Sequence, residues 1–296
     1  MAATEYTDNE LELTRRAWHL LEAFHDTTYF VKECRTAYKD LGISDVWTRY
    51  FAGRAAPMGR VGAGTVIASF YNFSPTMVKA AVPSVWETLD PATVVKARFT
   101  GVEAALDRLI PQHLNSDALA EAAGLAMSVA RTGRPEGKPI YAANLDLEVP
   151  SQPALKLFLA ATLLREHKGD AHNAVLLVNQ ISGCQAHVLM AAIGHGKKEQ
   201  IQSFRGWNDQ EWDAAVEDLS IRGLIDEQGS LTAAGRALRV QIEETTETIA
   251  AELYSSTSFS AAERLIELMS PIVGDLIATG ELPTARSVYD ELSEIG

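Results

Sequence analysis

The sequence predicts a mainly α-helical protein made of two winged-helix-like halves, of which only the second retains a wing hairpin. Three observations support this fold class. Apolar residues recur at helical spacing along most of the 296 residues. A tight hairpin followed directly by a helix is encoded near residue 229. The residues around Asn208 also repeat the pattern of the residues around Ser74, in the same order.

The first half, residues 1–130, is predicted to be helical and to lack a wing. Ser74-Pro75 and Asp90-Pro91 are strong helix starts, because a capping residue precedes a proline in the first turn. Since Asp90-Pro91 leads straight into a helix, no room is left for a hairpin. The helices are expected over residues 7–24, 27–41, 45–52, 65–70, 75–82, 91–110 and 116–130.

The second half, residues 151–296, is predicted to follow a linker. Residues 131–150 contain prolines and glycines and no apolar period, which is typical of a segment between domains. Gly169 is expected to end the first helix of this half. The helices are expected over residues 152–167, 171–193 with an interruption near Ser182-Gly183, 197–203, 209–220, 237–254 and 260–276.

The wing is predicted between Arg222 and Arg236. Two short β-inclined pieces flank a turn at residues 227–229, and a helix begins at Thr232. Helix, tight hairpin, helix is the order of a winged-helix domain, so we place this module at about residues 197–250.

The repeat is carried by a constant offset of 134 positions. It places Ser74 on Asn208 and Val78 on Trp212, and it superimposes two alanine-rich segments that follow. The agreement in order predicts a pseudo-duplication in which the first copy has lost its wing.

The composition excludes several classes of protein. Hydrophobic residues make up 47% and charged residues 22%, which is typical of a chain that buries a large core. No apolar run approaches the roughly 20 residues of a membrane helix, and the start lacks the pattern of a signal peptide. A cytoplasmic protein is therefore expected, with Cys34 and Cys184 as free, buried thiols.

The charge balance disfavours a nucleic-acid partner. The formal net charge is −13 and the pI is about 5.0, so DNA phosphates would repel the chain as a whole. The helix predicted at 209–220, in the position of a recognition helix, carries five carboxylates and no Lys or Arg.

The densest group of titratable side chains lies at residues 165–172. His167 or His172 can act as a general acid or base, with Asp170 orienting the imidazole. Alternatively, His167 and His172 bind zinc or iron, with His25 or Asp170 as a further ligand. In a third interpretation Asp170 caps a helix and the histidines make ordinary hydrogen bonds. If the halves are pseudo-symmetric, His25 faces this stretch.

A pocket between the two halves is expected beside these residues. Arg54 lies in a glycine-rich segment, 53–64, that lacks the spacing of a phosphate-binding loop. Phe70 and Tyr71 supply aromatic surface and Arg165 a second cation, so the pocket is expected to bind a small, largely apolar molecule. The alternative for segment 53–64 is close packing of small residues between helices.

Five segments together resemble one protein family. It is an actinobacterial family usually labelled helix-turn-helix or winged-helix-like, and it includes a protein from the salinomycin polyether gene cluster. The resemblance spans about residues 13–270. It implies a helical, cytoplasmic protein that is sometimes linked to specialised metabolism, and it implies no particular reaction. The segments are 51–59 (FAGRAAPMG), 70–73 (FYNF), 163–172 (LLREHKGDAH), 205–207 (RGW) and 231–236 (LTAAGR).

These observations predict an enzyme of specialised metabolism that binds a small molecule and uses acid/base or metal-assisted chemistry. His25, His167, Asp170 and His172 are the catalytic candidates. The alternative is a ligand-responsive winged-helix transcriptional regulator, which would act as a homodimer with basic residues on its recognition helix. A tandem winged-helix DNA repair enzyme is a third hypothesis. The acidic helix at 209–220 argues against both of these.

Overall fold

The computed structural model describes residues 5–255 and 258–282, and in these ranges the chain is mainly helical, as predicted. The outer ends of the two predicted halves, residues 1–4 and 283–296, lie outside the described residues. The helices of the first part are α1 (Asp8–His25), α2 (Thr27–Phe30), α3 (Lys32–Asp40), α4 (Val46–Ala55), α5 (Ala63–Phe70), α6 (Pro75–Ala81), α7 (Val85–Thr88), α8 (Pro91–Leu109) and α9 (Asp117–Ala130), with a 3-10 turn at Ala56–Met58. The others are α10 (Pro139–Leu145), α11 (Pro153–Val178), α12 (Gly183–Ala191), α13 (Lys198–Arg205), α14 (Asp209–Ile221), α15 (Ala233–Ser255) and α16 (Ser260–Ala278).

Helix α1 shows how local sequence starts an element and positions it. The Thr7 N–H donates to Glu10 Oε2 (2.8 Å) and the Glu10 N–H donates to Thr7 Oγ1 (3.3 Å), which satisfies two amides that the helix leaves free. Leu13, Leu21 and Phe24 lie on one face and are buried. This face packs against α11 and α16, so α1 ends with its last residues beside α11.

Helix α11 is continuous over 26 residues, so the predicted break at Gly169 is wrong. A glycine inside a helix costs only about 1 kcal/mol relative to alanine. The buried apolar residues on either side, such as Leu163, Leu164 and Leu176, outweigh that cost. Asp170 therefore does not cap the second of two helices. It lies inside α11.

The predicted linker also contains a helix, α10, which the sequence pattern did not indicate. Pro139 occupies the first turn, where its missing N–H costs nothing. The Asp170 carboxylate accepts the N–H groups of Ile140 and Tyr141, both at 2.9 Å. A side chain distant in sequence thus caps α10, and no local signal encodes that contact.

Three apolar clusters form the interior. The first joins α1, α8, α9, α11 and α16, which brings helices from both predicted halves into one core. The second lies among α3 to α8 and includes Phe51 and Phe70. The third joins α12 to α15 and includes Trp212 and Leu219. The C-terminal end of α11 contributes Leu176 to this third cluster.

The hairpin region was predicted to contain two short β-inclined pieces. In the described part of the chain it contains a single β-bridge. Ile225 and Leu231 form this bridge, and the Asp226 N–H donates to the Ser230 carbonyl (2.9 Å). The Thr232 Oγ1 then accepts the N–H of Gly235 (3.1 Å) and starts α15. The order α13, α14, hairpin, α15 follows the predicted order of the module.

Within the described residues, no single helix is long and apolar enough to cross a membrane. Helices α11 and α12 meet that criterion of length and composition only when they are taken together, and they are bent by 95° relative to each other.

Candidate functional site

A cavity of about 520 Å³ lies where the end of α1, the helices α2 to α4, α8 and α11, and the end of α13 meet. Its lining combines aromatic rings with five arginines and two carboxylates. Another cavity, of about 610 Å³, surrounds Arg60 and Asp90, whose side chains already pair with each other at 3.5 Å. The smaller cavity is where buried charges converge, so it is the better candidate site. The titratable groups that line it are His25, Asp26, Tyr29, Tyr38, Arg49, Tyr50, Arg54, Arg98, Arg165, Glu166 and Arg205.

Glu166 lies at the centre of an ion-pair network on one wall. Arg54 donates to it twice, from Nε to Oε1 (3.0 Å) and from Nη2 to Oε2 (2.6 Å). Arg165 donates to Glu166 Oε1 (3.1 Å) and to Glu22 Oε1 (3.0 Å). Burial by itself raises the pKa of Glu166, but the charges of Arg54 and Arg165 outweigh it and hold the pKa below its usual value. Glu166 is therefore a fixed anion.

His25 is buried and uncharged, and its hydrogen bonds fix its tautomer. Thr162 Oγ1 donates to the Phe158 carbonyl (2.8 Å), so it accepts from His25 Nδ1 (3.0 Å). His25 Nε2 is then the acceptor for the Tyr29 hydroxyl at 3.2 Å. Burial, followed by the charge of Arg165, lowers the pKa of His25 well below its ordinary value. The predicted site residues His25, Arg54 and Arg165 do line one cavity.

The other predicted site residues lie elsewhere. His167 packs edge-on against the Tyr141 ring (5.0 Å), and its Nδ1 has no hydrogen-bond partner within the described part of the chain. His172 Nδ1 lies 3.1 Å from Thr246 Oγ1, and Asp170 caps α10 as described above. None of His167, Asp170 and His172 lines the cavity that contains His25.

The proposed metal ligands are consequently not assembled. His25, His167 and His172 contact three different sets of neighbours. In residues 5–255 and 258–282, no three His, Cys, Asp or Glu side chains are grouped so that they could hold a metal ion.

Phe70 and Tyr71 were predicted to contact the ligand. Phe70 lies behind the cavity wall, and Tyr71 lies beside the cavity. The Phe70 ring is buried and packs under the Arg54 guanidinium, 4.4 Å from its Cζ. Tyr71 donates its hydroxyl to the Ile181 carbonyl (2.6 Å) and has a positive φ of 50°. Tyr71 therefore ties the loop after α5 to the start of α12.

Sequence reasoning missed Arg98, Glu166 and Arg205. Arg98 is four residues from both Val94 and Val102, so it interrupts the apolar stripe of α8, and that signal could have identified it. Glu166 lies inside the stretch at residues 165–172, but nothing in the local pattern distinguishes a buried carboxylate from a solvated one. Arg205 is adjacent to a glycine and has no pattern around it that indicates a cavity.

Asp170 supplies a testable pH dependence. Burial raises its pKa to about 7, above the roughly 3.9 of an unfolded aspartate, so it stabilises the fold at low pH and that contribution is lost as the pH rises through 7. Asp170→Asn keeps an acceptor for the α10 amides and does not titrate. We expect urea unfolding to show this variant gaining stability relative to the wild type between pH 5 and pH 8. The exposed Asp107→Asn serves as the control, and a constant difference for Asp170→Asn would contradict the assignment.

The comparisons with known proteins bear on function. A model described as a helix-turn-helix family matches residues 14–283. No curated protein and no solved structure matches the chain. The family match overturns the predicted enzyme of specialised metabolism with its pocket for acid/base or metal-assisted chemistry, and it favours the transcriptional regulator that stood as the alternative. Because the match covers most of the chain, the protein belongs to this helix-turn-helix family.

Proposed function

We propose that the protein is a ligand-responsive winged-helix regulator that binds DNA through α13, α14 and the hairpin at residues 225–231. The family match over residues 14–283 is the observation that carries this proposal. In a regulator of this kind, α14 is the recognition helix and the hairpin is the wing. The cavity beside Arg54 and Glu166 is then the effector site.

The geometry between α13 and α14 supports the proposal. Gly206 ends α13 in the left-handed conformation, with a φ of 77°, and so turns the chain sharply. Asn208 and Glu211 then form a capping box that starts α14, with both hydrogen bonds at 2.9 Å. Arg205, on the cavity, and Asn208, at the start of α14, are three residues apart. A ligand in the cavity would thus lie close to the turn of the helix-turn-helix.

Several finer points belong to the same proposal. We propose two winged-helix-like halves related by duplication, divided at residues 131–150, and membership of the actinobacterial group that includes the salinomycin-cluster protein. We also propose a cytoplasmic homodimer, because winged-helix and helix-turn-helix regulators commonly read two half-sites related by a twofold axis.

The surface of α14 is acidic, and this restricts how the protein can bind DNA. Asp213, Glu217 and Asp218 are exposed on this helix. Lys198 lies 3.2 Å from both Asp209 and Asp213, so the nearest cation is already paired. Phosphate attraction therefore contributes little near α14, and we expect weak nonspecific binding with selectivity based on base contacts.

The test begins with a selection in which the purified protein captures fragments of genomic DNA. Fluorescence anisotropy titrations then measure the affinity of the protein for a selected fragment and for a fragment of scrambled sequence. The proposal predicts that the selected fragment binds at least about tenfold more tightly, as is typical even of modest specific recognition. Equal binding of the two fragments, or none at about 50 mM salt, would overturn it.

A charge-neutralising variant tests the role of α14. The double substitution Asp213→Asn and Glu217→Gln removes two exposed carboxylates, and Lys198 keeps Asp209 as a partner. If α14 faces DNA, less repulsion should raise the affinity several-fold at low salt, with a smaller gain at high salt. The control is Asp107→Asn with Glu136→Gln, two exposed carboxylates outside α14. An equal gain in both double variants would mean that only net charge matters.

A further inference from the structure

The cavity contains more cations than anions. Arg54 and Arg165 are neutralised by the Glu166 and Glu22 carboxylates described above. The other three guanidiniums that line it have no carboxylate within 4.0 Å in the part of the chain that the structure describes. They belong to Arg49, Arg98 and Arg205.

Arg98 is the most buried of these cations, with 3% of its surface exposed. Its hydrogen bonds go to neutral groups, from Nη1 to the Gly53 carbonyl (3.3 Å) and from Nη2 to Asn144 Oδ1 (3.2 Å). Its Nε has no hydrogen-bond partner among the residues that the structure describes. A buried charge without a counter-ion is costly, so this position favours an anion.

Arg49 and Arg205 extend the positive surface. The Arg205 side chain donates one long hydrogen bond, to the Phe204 carbonyl (3.4 Å), and its Cζ lies 4.6 Å from the centre of the Phe73 ring. Burial is the largest cause that lowers the pKa of Arg49, Arg98 and Arg205, and the carboxylates of Asp45, which acts on Arg49, and Glu166, which acts on Arg98, do not offset it.

Aromatic rings form the rest of the wall. The Tyr29 and Tyr50 rings lie 5.3 Å apart, and Trp47 lies 6.3 Å from Phe204. Phe204 is 49% exposed at the edge of the cavity, so apolar surface is available to a ligand as it enters. A volume of about 520 Å³ is in the range of small-molecule sites, which is roughly 300–1,000 Å³.

We propose that the ligand of this cavity is an organic anion with a flat apolar body, whose negative charge is balanced by the three guanidiniums that lack a carboxylate partner, those of Arg49, Arg98 and Arg205. The body packs against Tyr29, Trp47 and Tyr50. This inference rests on the proposed function, in which the cavity is the effector site of a regulator, and it specifies the chemical class of that effector.

A matched pair of fluorescent probes tests the class. 8-Anilinonaphthalene-1-sulfonate is an aromatic anion with a flat naphthalene ring, and N-phenyl-1-naphthylamine has the same rings without the sulfonate. The proposal predicts saturable one-to-one binding of the sulfonate to the full chain, and at least about tenfold weaker binding of the neutral amine, the equivalent of one charge-assisted hydrogen bond. Equal affinities, or binding of many sulfonates, would overturn it.

Variants then locate the site. Arg205→Met removes a half-buried cation and should weaken sulfonate binding about tenfold while leaving binding of the amine unchanged. Arg49→Met repeats the test at a second position. Arg264→Met, whose guanidinium pairs with Glu121 at the surface, is the control. Circular dichroism melts confirm that each variant is folded, and unchanged sulfonate affinity in both cavity variants contradicts the assignment.

Because these titrations use no DNA, they separate the two proposals. Sulfonate binding without any selected DNA fragment would leave the anion site standing and overturn the regulator. Selective DNA binding, together with equal affinities for the sulfonate and the neutral amine, would leave the regulator standing and overturn the anion site.

Discussion

Replacing Glu166 by alanine is expected to destabilise the protein by about 3–5 kcal/mol, the cost of removing one partner from a buried ion pair. Glu166 is 2% exposed and holds both Arg54 and Arg165. Without it, the largely buried guanidiniums of Arg54 and Arg165 have only the Glu22 carboxylate as a counter-ion among the described residues. Urea unfolding at pH 7, followed by circular dichroism, measures the change.

The surface pair between Glu121 and Arg264 provides the control. Its geometry is similar, with two hydrogen bonds of 2.6 and 2.8 Å, but both side chains are exposed. Glu121→Ala should therefore leave the unfolding midpoint almost unchanged. If Glu166→Ala is as mild as Glu121→Ala, the buried network contributes nothing to stability.

The stability that Glu166 contributes through this network is also expected to depend on pH. Because Arg54 and Arg165 hold the pKa of Glu166 below its unfolded value, its contribution is present above the unfolded pKa and is lost as the pH falls through the folded one. The stability difference between wild type and Glu166→Ala should shrink in acid. A difference that stays constant from pH 7 down to pH 3 would contradict this role.

Gly183→Ala is expected to destabilise the protein by about 1–3 kcal/mol, even though alanine is the better helix former. A Cβ at Gly183 would overlap the Tyr71 carbonyl oxygen and lie 3.2 Å from the Asn72 Cα. Both contacts are with backbone, so no side chain can move aside. The loop at residues 71–72 would have to shift away from α12.

Gly124→Ala in α9 is the matched control, because a Cβ there meets no non-neighbouring atom of residues 5–255 or 258–282 within 4 Å. Helix propensity then decides the sign, and this variant should gain about 0.5–1 kcal/mol. Thermal and urea unfolding of both variants under one set of conditions give the comparison. If both alanines stabilise the protein, the loop does not pack against Gly183 as described.

Most of the helices could be predicted from the sequence because their signals are local. Capping residues and apolar periods are short-range features, and they located α1, α8, α9, α14 and α16 to within a few residues. The predicted helix over residues 27–41 divides at Val31, which has an extended backbone. The long apolar segment through Gly169 stays helical because the burial of its apolar side chains outweighs the low helix propensity of one glycine.

The site was only partly predictable, because its contacts join distant residues. Arg54 and Glu166 are 112 positions apart, and His25 and Thr162 are 137 apart. The closeness of His167, Asp170 and His172 in the sequence suggested that they act together. On a continuous helix, residues 167 and 172 point in different directions, since each residue turns the helix by about 100°.

Helix α11 has a mechanical consequence. Glu166, on the cavity, and Leu176, in the cluster with α14, belong to one rigid element and lie about 15 Å apart at a rise of 1.5 Å per residue. The ion pairs Arg54–Glu166 and Arg165–Glu22 hold this end of α11 against α4 and α1. Because the helix is stiff, a displacement at either end is transmitted to the packing at the other. The charged wall of the cavity and the apolar packing of α14 are therefore mechanically connected through α11.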